Sequence, residues 1–93
     1  MSFQLNDSKA SDRSIEYIKD NEKLGEITWL EGNSVMQMTH TFVSDKLRGQ
    51  GIAKKLLDEA AAYARKNDFK MKPVCSYVVM AFDKYTDYDD VKA

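Results

Sequence analysis

The feature that most constrains this sequence is the junction between a strand-like run and an amphipathic helix. Alternating residues over 34–43 predict a strand, and residues 51–67 carry apolar side chains at helical spacing. Gly49 and Gly51 lie where the two meet. Glycine adopts positive φ and lets a ligand approach the backbone, while a helix N-terminus offers unpaired N–H groups that suit phosphate. The junction therefore predicts either a tight structural turn or a loop that binds pyrophosphate.

Three basic residues, Arg48, Lys54 and Lys55, add positive charge around this junction. The P-loop motif G-x-x-x-x-G-K-[ST] is absent, and the third glycine of the dinucleotide-binding fingerprint is missing. The remaining pattern is Arg48-x-x-Gly51-x-Ala53.

This pattern resembles the acetyl-CoA signature of the GNAT acetyltransferases, [Q/R]-x-x-G-x-[G/A], which lies at a strand-to-helix joint. The runs 40–53 and 72–78 also look like those of very small, single-domain GNAT-like proteins, so the resemblance spans roughly residues 13–82. It implies an α/β (α+β) fold with a mostly antiparallel twisted sheet, one long cofactor-binding helix and a short C-terminal helix.

The resemblance also implies acetyl-CoA as the cofactor and an amine as the acetyl acceptor. The pyrophosphate would lie on the glycine loop, and the pantetheine arm would pair with the backbone where two parallel strands diverge. The residues expected to bind the cofactor are Phe42, Val43, Arg48, Gly49, Gln50, Gly51, Ile52, Ala53, Lys54 and Ser76.

Three residues are candidates for the chemistry, each with a structural alternative. Cys75 precedes a predicted helix, where a thiol is favoured as a nucleophile and acetyl acceptor, or it is a small buried apolar residue. His40, the single histidine, is a candidate base or a packed side chain. Tyr77 is a candidate proton donor to the CoA thiolate or packs against the sheet. We expect direct attack by the amine more than an acetyl-cysteine intermediate.

The sequence differs from the small relatives at one motif, and this difference favours functions other than acetyl transfer as well. They often carry a His-Pro pair after the Cys-Ser-Tyr segment, where this sequence has Phe82-Asp83-Lys84-Tyr85. The helices and strands with which larger GNAT proteins hold their acceptor also have no counterpart here. The alternatives are a non-catalytic CoA-binding or protein-interaction module, and an adaptor domain whose glycines are only structural.

The remaining pattern predicts the order of elements. Strands are expected over residues 13–19, 23–30 and 34–43, the helix over 51–67, a strand over 70–75 parallel to the third, and a helix over 76–84. Residues 1–12 are an edge strand or a frayed end, and the acidic tail 85–93 is expected to be loose. Two further expectations are that Met36, Met38, His40 and Phe42 share one face, and that Asp58 and Glu59 are solvated.

Length and charge limit the function classes. The 93 residues predict one domain, 1–93, and 14 basic against 15 acidic residues argue against general nucleic-acid binding. There is no apolar run of membrane-spanning length, and a single cysteine excludes an internal disulfide. We expect a cytoplasmic protein that is a monomer or weak dimer, with no metal site and no hydrolase triad.

Overall fold

The computed structural model describes residues 2–7 and 12–93 of the chain. Five strands form one sheet in the order β1-β2-β3-β4-β5, with two helices. The elements are β1 (Ser2–Asn6), β2 (Asp12–Lys19), β3 (Glu22–Gly32), β4 (Val35–Val43), α1 (Ile52–Asn67), β5 (Lys70–Pro73) and α2 (Ser76–Lys84), with 3-10 turns at Asp45–Leu47 and Thr86–Tyr88. The first four strands are antiparallel neighbours, and β5 is parallel to β4. The predicted α+β fold is therefore confirmed.

Helix α1 forms where the apolar stripe predicted it and covers one face of the sheet. Its buried residues are Ile52, Leu56, Leu57, Ala60, Ala61 and Ala64. The helix begins one residue later than predicted, because Gly51 is its N-cap. Gly25 of β3 lets α1 approach closely, since a Cβ there would lie 3.3 Å from the Leu56 Cδ1 atom and 3.1 Å from the Phe42 carbonyl oxygen. We call this covered side the inner face and the opposite side the outer face.

The predicted common face of Met36, Met38, His40 and Phe42 is wrong because β4 contains a β-bulge. Thr28 pairs with His40 and Trp29 pairs with Met38, so Thr39 is an extra residue in β4. A bulge reverses the alternation of side chains along a strand. Met36 and Met38 are therefore fully buried under α1, whereas His40 and Phe42 are exposed on the outer face.

Strand β5 is shorter than the predicted 70–75 and pairs with the first half of β4 alone. The last residue pair is Met38 with Pro73. The amides of Val74 and Cys75 both donate to the carbonyl oxygen of Met38, at 3.2 Å and 2.9 Å, and α2 then starts at Ser76 as predicted. Beyond this point, in the described part of the chain, no strand pairs with that edge of β4. We call the space beside Thr39–Val43 the gap.

The C-terminal tail is not loose, as the sequence pattern suggested, but packs on the sheet. Tyr88 and Val91 are buried, at 1% and 2% exposure. The Met71 amide donates to the Val91 carbonyl oxygen at 2.6 Å, so the tail follows the outer edge of β5. Arg65 of α1 donates two hydrogen bonds to the Asp90 carboxylate, at 2.8 Å and 3.0 Å. The acidic side chains of the tail, which led to the prediction of a loose segment, therefore form ion pairs with basic residues.

Within the described residues, neither helix combines the length and apolar character that a membrane span requires. Residues 2–6 form β1, an edge strand, which was one of the two predictions for the N-terminal segment. Residues 1 and 8–11 of that segment lie outside the described residues.

Candidate functional site

The turn before α1 presents a cluster of backbone donors. Gly49 and Gly51 both have positive φ, +80° and +68°, a conformation that glycine adopts without steric cost. The first hydrogen bond of the helix runs from the Lys55 amide to the Gly51 carbonyl oxygen at 3.2 Å. The amides without an acceptor among the described residues are those of Gly49, Gly51, Ile52, Ala53 and Lys54. Five free N–H groups at a helix N-terminus favour an anion.

The same turn faces open space. A Cβ added to Gly49 or Gly51 would meet no heavy atom within 4 Å. The first turn of α1 carries no acidic residue, and its glycine N-cap offers no side-chain acceptor. The Gln50 amide donates to the Leu47 carbonyl oxygen at 3.2 Å, so this residue has only its side chain left for a ligand. Nothing in the turn itself competes for an anion.

The two predicted cationic contacts differ in where their side chains lie. The Arg48 side chain is 82% exposed and pairs with Asp45 at 3.4 Å. The Lys54 ammonium instead contacts Asp58 and Asp87, at 3.3 Å and 3.4 Å, and lies over the ring of Tyr85 at 4.8 Å.

Burial alone would lower the pKa of Lys54, but hydrogen bonds and charge interactions with Asp58 and Asp87 raise it overall. Lys54 is therefore a fixed cation at this end of α1. Asp58 is not simply solvated as predicted, because it also accepts a 2.5 Å hydrogen bond from the Tyr88 hydroxyl; Glu59 is exposed.

The structure brings Cys75 against β4 at the gap. Cys75 is half-buried at the N-cap of α2, and its Sγ atom lies 3.5 Å from the Thr41 Oγ1 atom. Thr41 was not among the predicted site residues. In a regular strand Thr41, three residues after the inward-facing Met38, would face outward. The extra residue at Thr39 reverses the alternation and turns Thr41 to the inner face.

Tyr77 and Ser76 follow in the first turn of α2, where Ser76 is exposed. Burial raises the pKa of the Tyr77 phenol, as do the nearby Tyr85, Asp58 and Cys75, while Lys54 acts in the opposite direction. Tyr77 therefore keeps its proton at neutral pH and is a hydrogen-bond donor.

His40 is not brought to Cys75. Its side chain lies on the outer face opposite Thr28, whereas the adjacent Thr41 faces inward to Cys75. The exposed position of His40 excludes a packed histidine. Phe42 and Val43 end β4 beside the gap, with Phe42 exposed on the outer face and Val43 half-buried. The Phe42 carbonyl oxygen points to β3, where a Cβ on Gly25 would lie 3.1 Å from it, so the backbone that faces the gap is that of Val43. Within residues 2–7 and 12–93, no group of three His, Cys, Asp or Glu side chains could hold a metal ion.

Comparisons with known proteins agree with this geometry. The family of GCN5-related N-acetyl-transferases matches residues 14–91. A GCN5-like candidate N-acetyltransferase from Staphylococcus aureus is 33% identical, with a TM-score of 0.72 over 97% of this chain and 87% of its own.

Larger proteins share the fold at lower identity. Tetrahymena GCN5 is 11% identical, with a TM-score of 0.68 over 82% of this chain and 50% of its own. A candidate streptothricin acetyltransferase from Bacillus anthracis, in complex with acetyl coenzyme A, is 17% identical, with a TM-score of 0.65 over 84% of this chain and 47% of its own. This chain spans about half the length of these two proteins. A search of curated proteins gives no match. The family match over most of the sequence and the similarity to the staphylococcal protein confirm the predicted family and class of enzyme: the chain belongs to the GCN5-related N-acetyltransferases.

Proposed function

We propose that this protein binds acetyl-CoA and transfers the acetyl group to an amine, mainly by direct attack of the amine on the thioester. The observation that carries the proposal is that two unsatisfied stretches of backbone lie at the same end of the sheet. The edge of β4 beside the gap ends at Val43, and the glycine turn with its free amides follows directly. A ligand with an extended amide-bearing arm and a diphosphate matches both.

The glycine turn fits the diphosphate. The amides of Gly49, Gly51, Ile52 and Ala53 would donate to phosphate oxygens, and the exposed Arg48 side chain would approach the same charge. Lys54 would contribute its amide and the positive charge of its paired ammonium. The open space over the glycines is where the phosphates would lie.

The gap fits the pantetheine arm. The backbone of Val43, on the free edge of β4, would pair with an amide of the arm, as an added strand pairs with a sheet edge, and the exposed Phe42 side chain would lie beside it. Ser76, exposed at the start of α2, borders the other side of the gap.

The reacting groups would meet where Thr41, Cys75 and Tyr77 lie. Acetyl-CoA supplies an activated thioester: the amine nitrogen replaces sulfur on the acetyl carbon, and the proton lost by the amine ends on the CoA sulfur. Tyr77, which keeps its proton, would donate a hydrogen bond to that sulfur. His40 on the outer face is available to accept the proton of an amine that approaches from that side. Positioning of the two reactants supplies the rest of the acceleration.

Two less favoured functions remain as alternatives. The Cys75 thiol could take the acetyl group first, forming a thioester that the amine then attacks; its position at a helix N-terminus beside Thr41 favours this route. A CoA-binding module without transfer is favoured by the separation of His40 from Cys75 on opposite faces of β4.

Calorimetric titration with acetyl-CoA, followed by intact mass and by release of free CoA in the presence of primary amines, tests the proposal. Gly51→Asn should weaken binding at least tenfold while the protein stays folded, because asparagine tolerates a left-handed conformation but fills the open space. Gly32→Asn is the matched control. A Cβ at Gly32 also meets nothing within 4 Å, but Gly32 is at the end of β3, away from the glycine turn before α1.

Each outcome selects one function. Binding with amine-dependent CoA release supports transfer, and retention of that activity in Cys75→Ala supports direct attack. A one-acetyl mass gain that disappears in Cys75→Ala supports the cysteine route. Binding without CoA release supports the module, and no binding at millimolar acetyl-CoA contradicts the proposal.

A further inference from the structure

The outward side of α2 is apolar at its centre, where a surface helix is normally polar. Four exposed residues share this side at the spacing i, i+3, i+4 and i+7: Ser76, Val79, Met80 and Asp83. We call them the α2 stripe. The opposite side of the helix is buried, so α2 carries apolar side chains on both sides. A helix of this kind is normally covered twice.

The exposed apolar side chains of the protein are concentrated here. Six large apolar side chains are exposed among the described residues, and three of them are Val74, Val79 and Met80, at 52%, 49% and 44% exposure. Val79 and Met80 also line a groove of about 430 Å³ between α2, the end of β5 and the tail. Single exposed apolar residues are common on protein surfaces, but a cluster beside a groove marks a contact surface.

One end of the α2 stripe carries an unpaired negative charge. Asp83 is exposed in the last turn of α2 and forms no ion pair or hydrogen bond with the described residues. A carboxylate there is unfavourable for its own helix, because the helix C-terminus carries partial negative charge. Lys92, which lines the same groove, does not neutralise Asp83 because its ammonium pairs with Asp89 at 2.9 Å.

The other end of the α2 stripe lacks negative charge. The N-cap of α2, Cys75, forms no side-chain capping hydrogen bond, and the first turn contains no acidic residue. The first hydrogen bond of the helix runs from the Val79 amide to the Cys75 carbonyl oxygen at 3.1 Å. The amides of residues 76–78 therefore have no acceptor within the described part of the chain. The start of α2 suits a carboxylate that a neighbouring molecule supplies.

A second copy of this chain matches both ends of the stripe at once. If two α2 helices pack antiparallel around a twofold axis between Val79 and Met80, each Ser76 lies opposite the second copy's Asp83. Packed helices lie about 8–10 Å apart, close enough for a carboxylate to reach the Ser76 hydroxyl and the free amides. In a twofold interface every contact occurs twice. An anionic membrane is a poorer occupant, since the α2 stripe contains no lysine or arginine.

We propose that the α2 stripe is the interface of a homodimer, in which each Asp83 caps the start of the second copy's α2. Val79 and Met80 from both copies form the apolar centre, and side chains of the second copy enter the groove beside α2. With nine residues, α2 is about 13 Å long, so the interface is small and the dimer dissociates on dilution.

The test is sedimentation equilibrium of the full chain from about 10 µM to about 1 mM, with amide NMR over the same dilution series. The average mass should rise from that of one chain towards that of two, and the amides of residues 74–83 should shift with concentration. The mass of a single chain at every concentration would overturn the proposal. CoA is omitted because Ser76 also borders the gap, so the result does not depend on the proposed acetyl transfer.

A lipid surface is tested separately with vesicles of phosphatidylcholine and phosphatidylglycerol. The protein should not sediment with them. Sedimentation that is lost in Met80→Lys would overturn the proposal, because the occupant of the α2 stripe would then be a membrane.

Variants of the apolar centre locate the interface. Met80→Lys should weaken dimerisation at least tenfold, because it brings two ammonium groups together beside the twofold axis. Leu30→Lys is the control of matched exposure, 42% against 44% for Met80, and it should leave the dimer unchanged because Leu30 belongs to β3. Thermal melts show that both variants stay folded. A dimer that survives Met80→Lys as well as Leu30→Lys uses another face and overturns the proposal.

Mixing two charge variants tests which residues meet. Asp83→Lys should weaken dimerisation at least fivefold, because it places a cation at the positive start of the second copy's α2. Ser76→Asp should weaken it as much, because the new carboxylate faces the second copy's Asp83. An equimolar mixture should form a mixed dimer at least fivefold tighter than either variant alone, since one aspartate then faces one lysine. If the mixture associates no better than the separate variants, Ser76 and Asp83 do not meet and the proposed interface is wrong.

Discussion

The two halves of β4 make opposite use of the same strand. From Val35 to Met38 the strand is paired on both sides, and Met36 and Met38 are fully buried under α1. From Thr39 to Val43 it is paired only with β3, and the side chains of His40 and Phe42 are exposed. One half therefore stabilises the fold, while the other keeps the backbone and side chains that a ligand would need. The single extra residue at Thr39 separates the two roles.

The largest effect should come from the buried half. Met38→Ala should lower the free energy of unfolding by about 2–5 kcal/mol, the range for truncating a buried methionine, because it leaves a cavity beneath α1. Phe42→Ala, in the open half, should cost less than about 1 kcal/mol because Phe42 is already 44% exposed. Chemical denaturation measures both. Equal costs would contradict the division of β4 into two halves.

Removing the bulge tests whether it creates the gap. Deleting Thr39 should straighten β4 and weaken acetyl-CoA binding at least tenfold, about 1.4 kcal/mol, because β4 and β5 would no longer diverge. Thr39→Val is the control: it keeps the extra residue and loses only the 2.8 Å contact with the Thr28 hydroxyl. If the deletion binds acetyl-CoA as well as the control does, the bulge is not what opens the site. Calorimetry gives both affinities.

The tail packs along the outer edge of β5 and contacts α1 through Tyr88. Tyr88→Phe removes the 2.5 Å hydrogen bond to Asp58 and should lower stability by about 1 kcal/mol at pH 7. Burial and the Asp58 carboxylate raise the pKa of Tyr88 well above its ordinary value of 10.0.

Tyr88 consequently contributes stability below pH 10 that is lost as the pH rises further, since the unfolded tyrosine ionises first. Thermal melts of the parent protein should therefore decline more steeply above pH 10 than those of Tyr88→Phe. If the Tm values of both proteins decline equally above pH 10, groups other than Tyr88 determine the loss of stability there.

The smallest effect concerns the contact between the open half and α2. Thr41→Val should slow alkylation of Cys75 by iodoacetamide about fivefold at pH 7.5, the effect of losing the one 3.5 Å contact that orients the Cys75 sulfur. Thr41→Ser should restore the rate, because it keeps the hydroxyl. A variant that slows alkylation without rescue by serine would show that Thr41 acts through packing alone.

Much of the fold could be predicted because local signals and packing agree. The stripe along α1, the turn residues between strands and the parallel return of β5 all follow from periodicity and chain connectivity. The glycine turn was also predicted, since positive φ at Gly49 and Gly51 is what a sharp strand-to-helix junction requires. The position of Cys75 at the start of α2 followed from the same pattern.

The rest could not be predicted because it depends on pairing between distant residues. The alternation of Met36, Met38, His40 and Phe42 is that of a regular strand, and only the register with β3 reveals that Thr39 is extra. The contact between Thr41 and Cys75 depends on that bulge. In the tail, the acidic residues suggested solvent, but burial of Tyr88 and the pairing of Asp90 with Arg65 outweigh that signal.

The tail that follows β5 also affects how separate molecules meet. An open strand edge is a template for pairing with another chain, and proteins cover or shorten such edges to avoid aggregation. Here the Val91 and Lys92 backbone lies against Met71, so the last strand of the sheet does not present its edge to solvent. A truncation at Tyr85 would uncover that edge in every molecule. Self-association through the uncovered edge would then lower the solubility of the truncated protein more than the loss of local contacts lowers its stability.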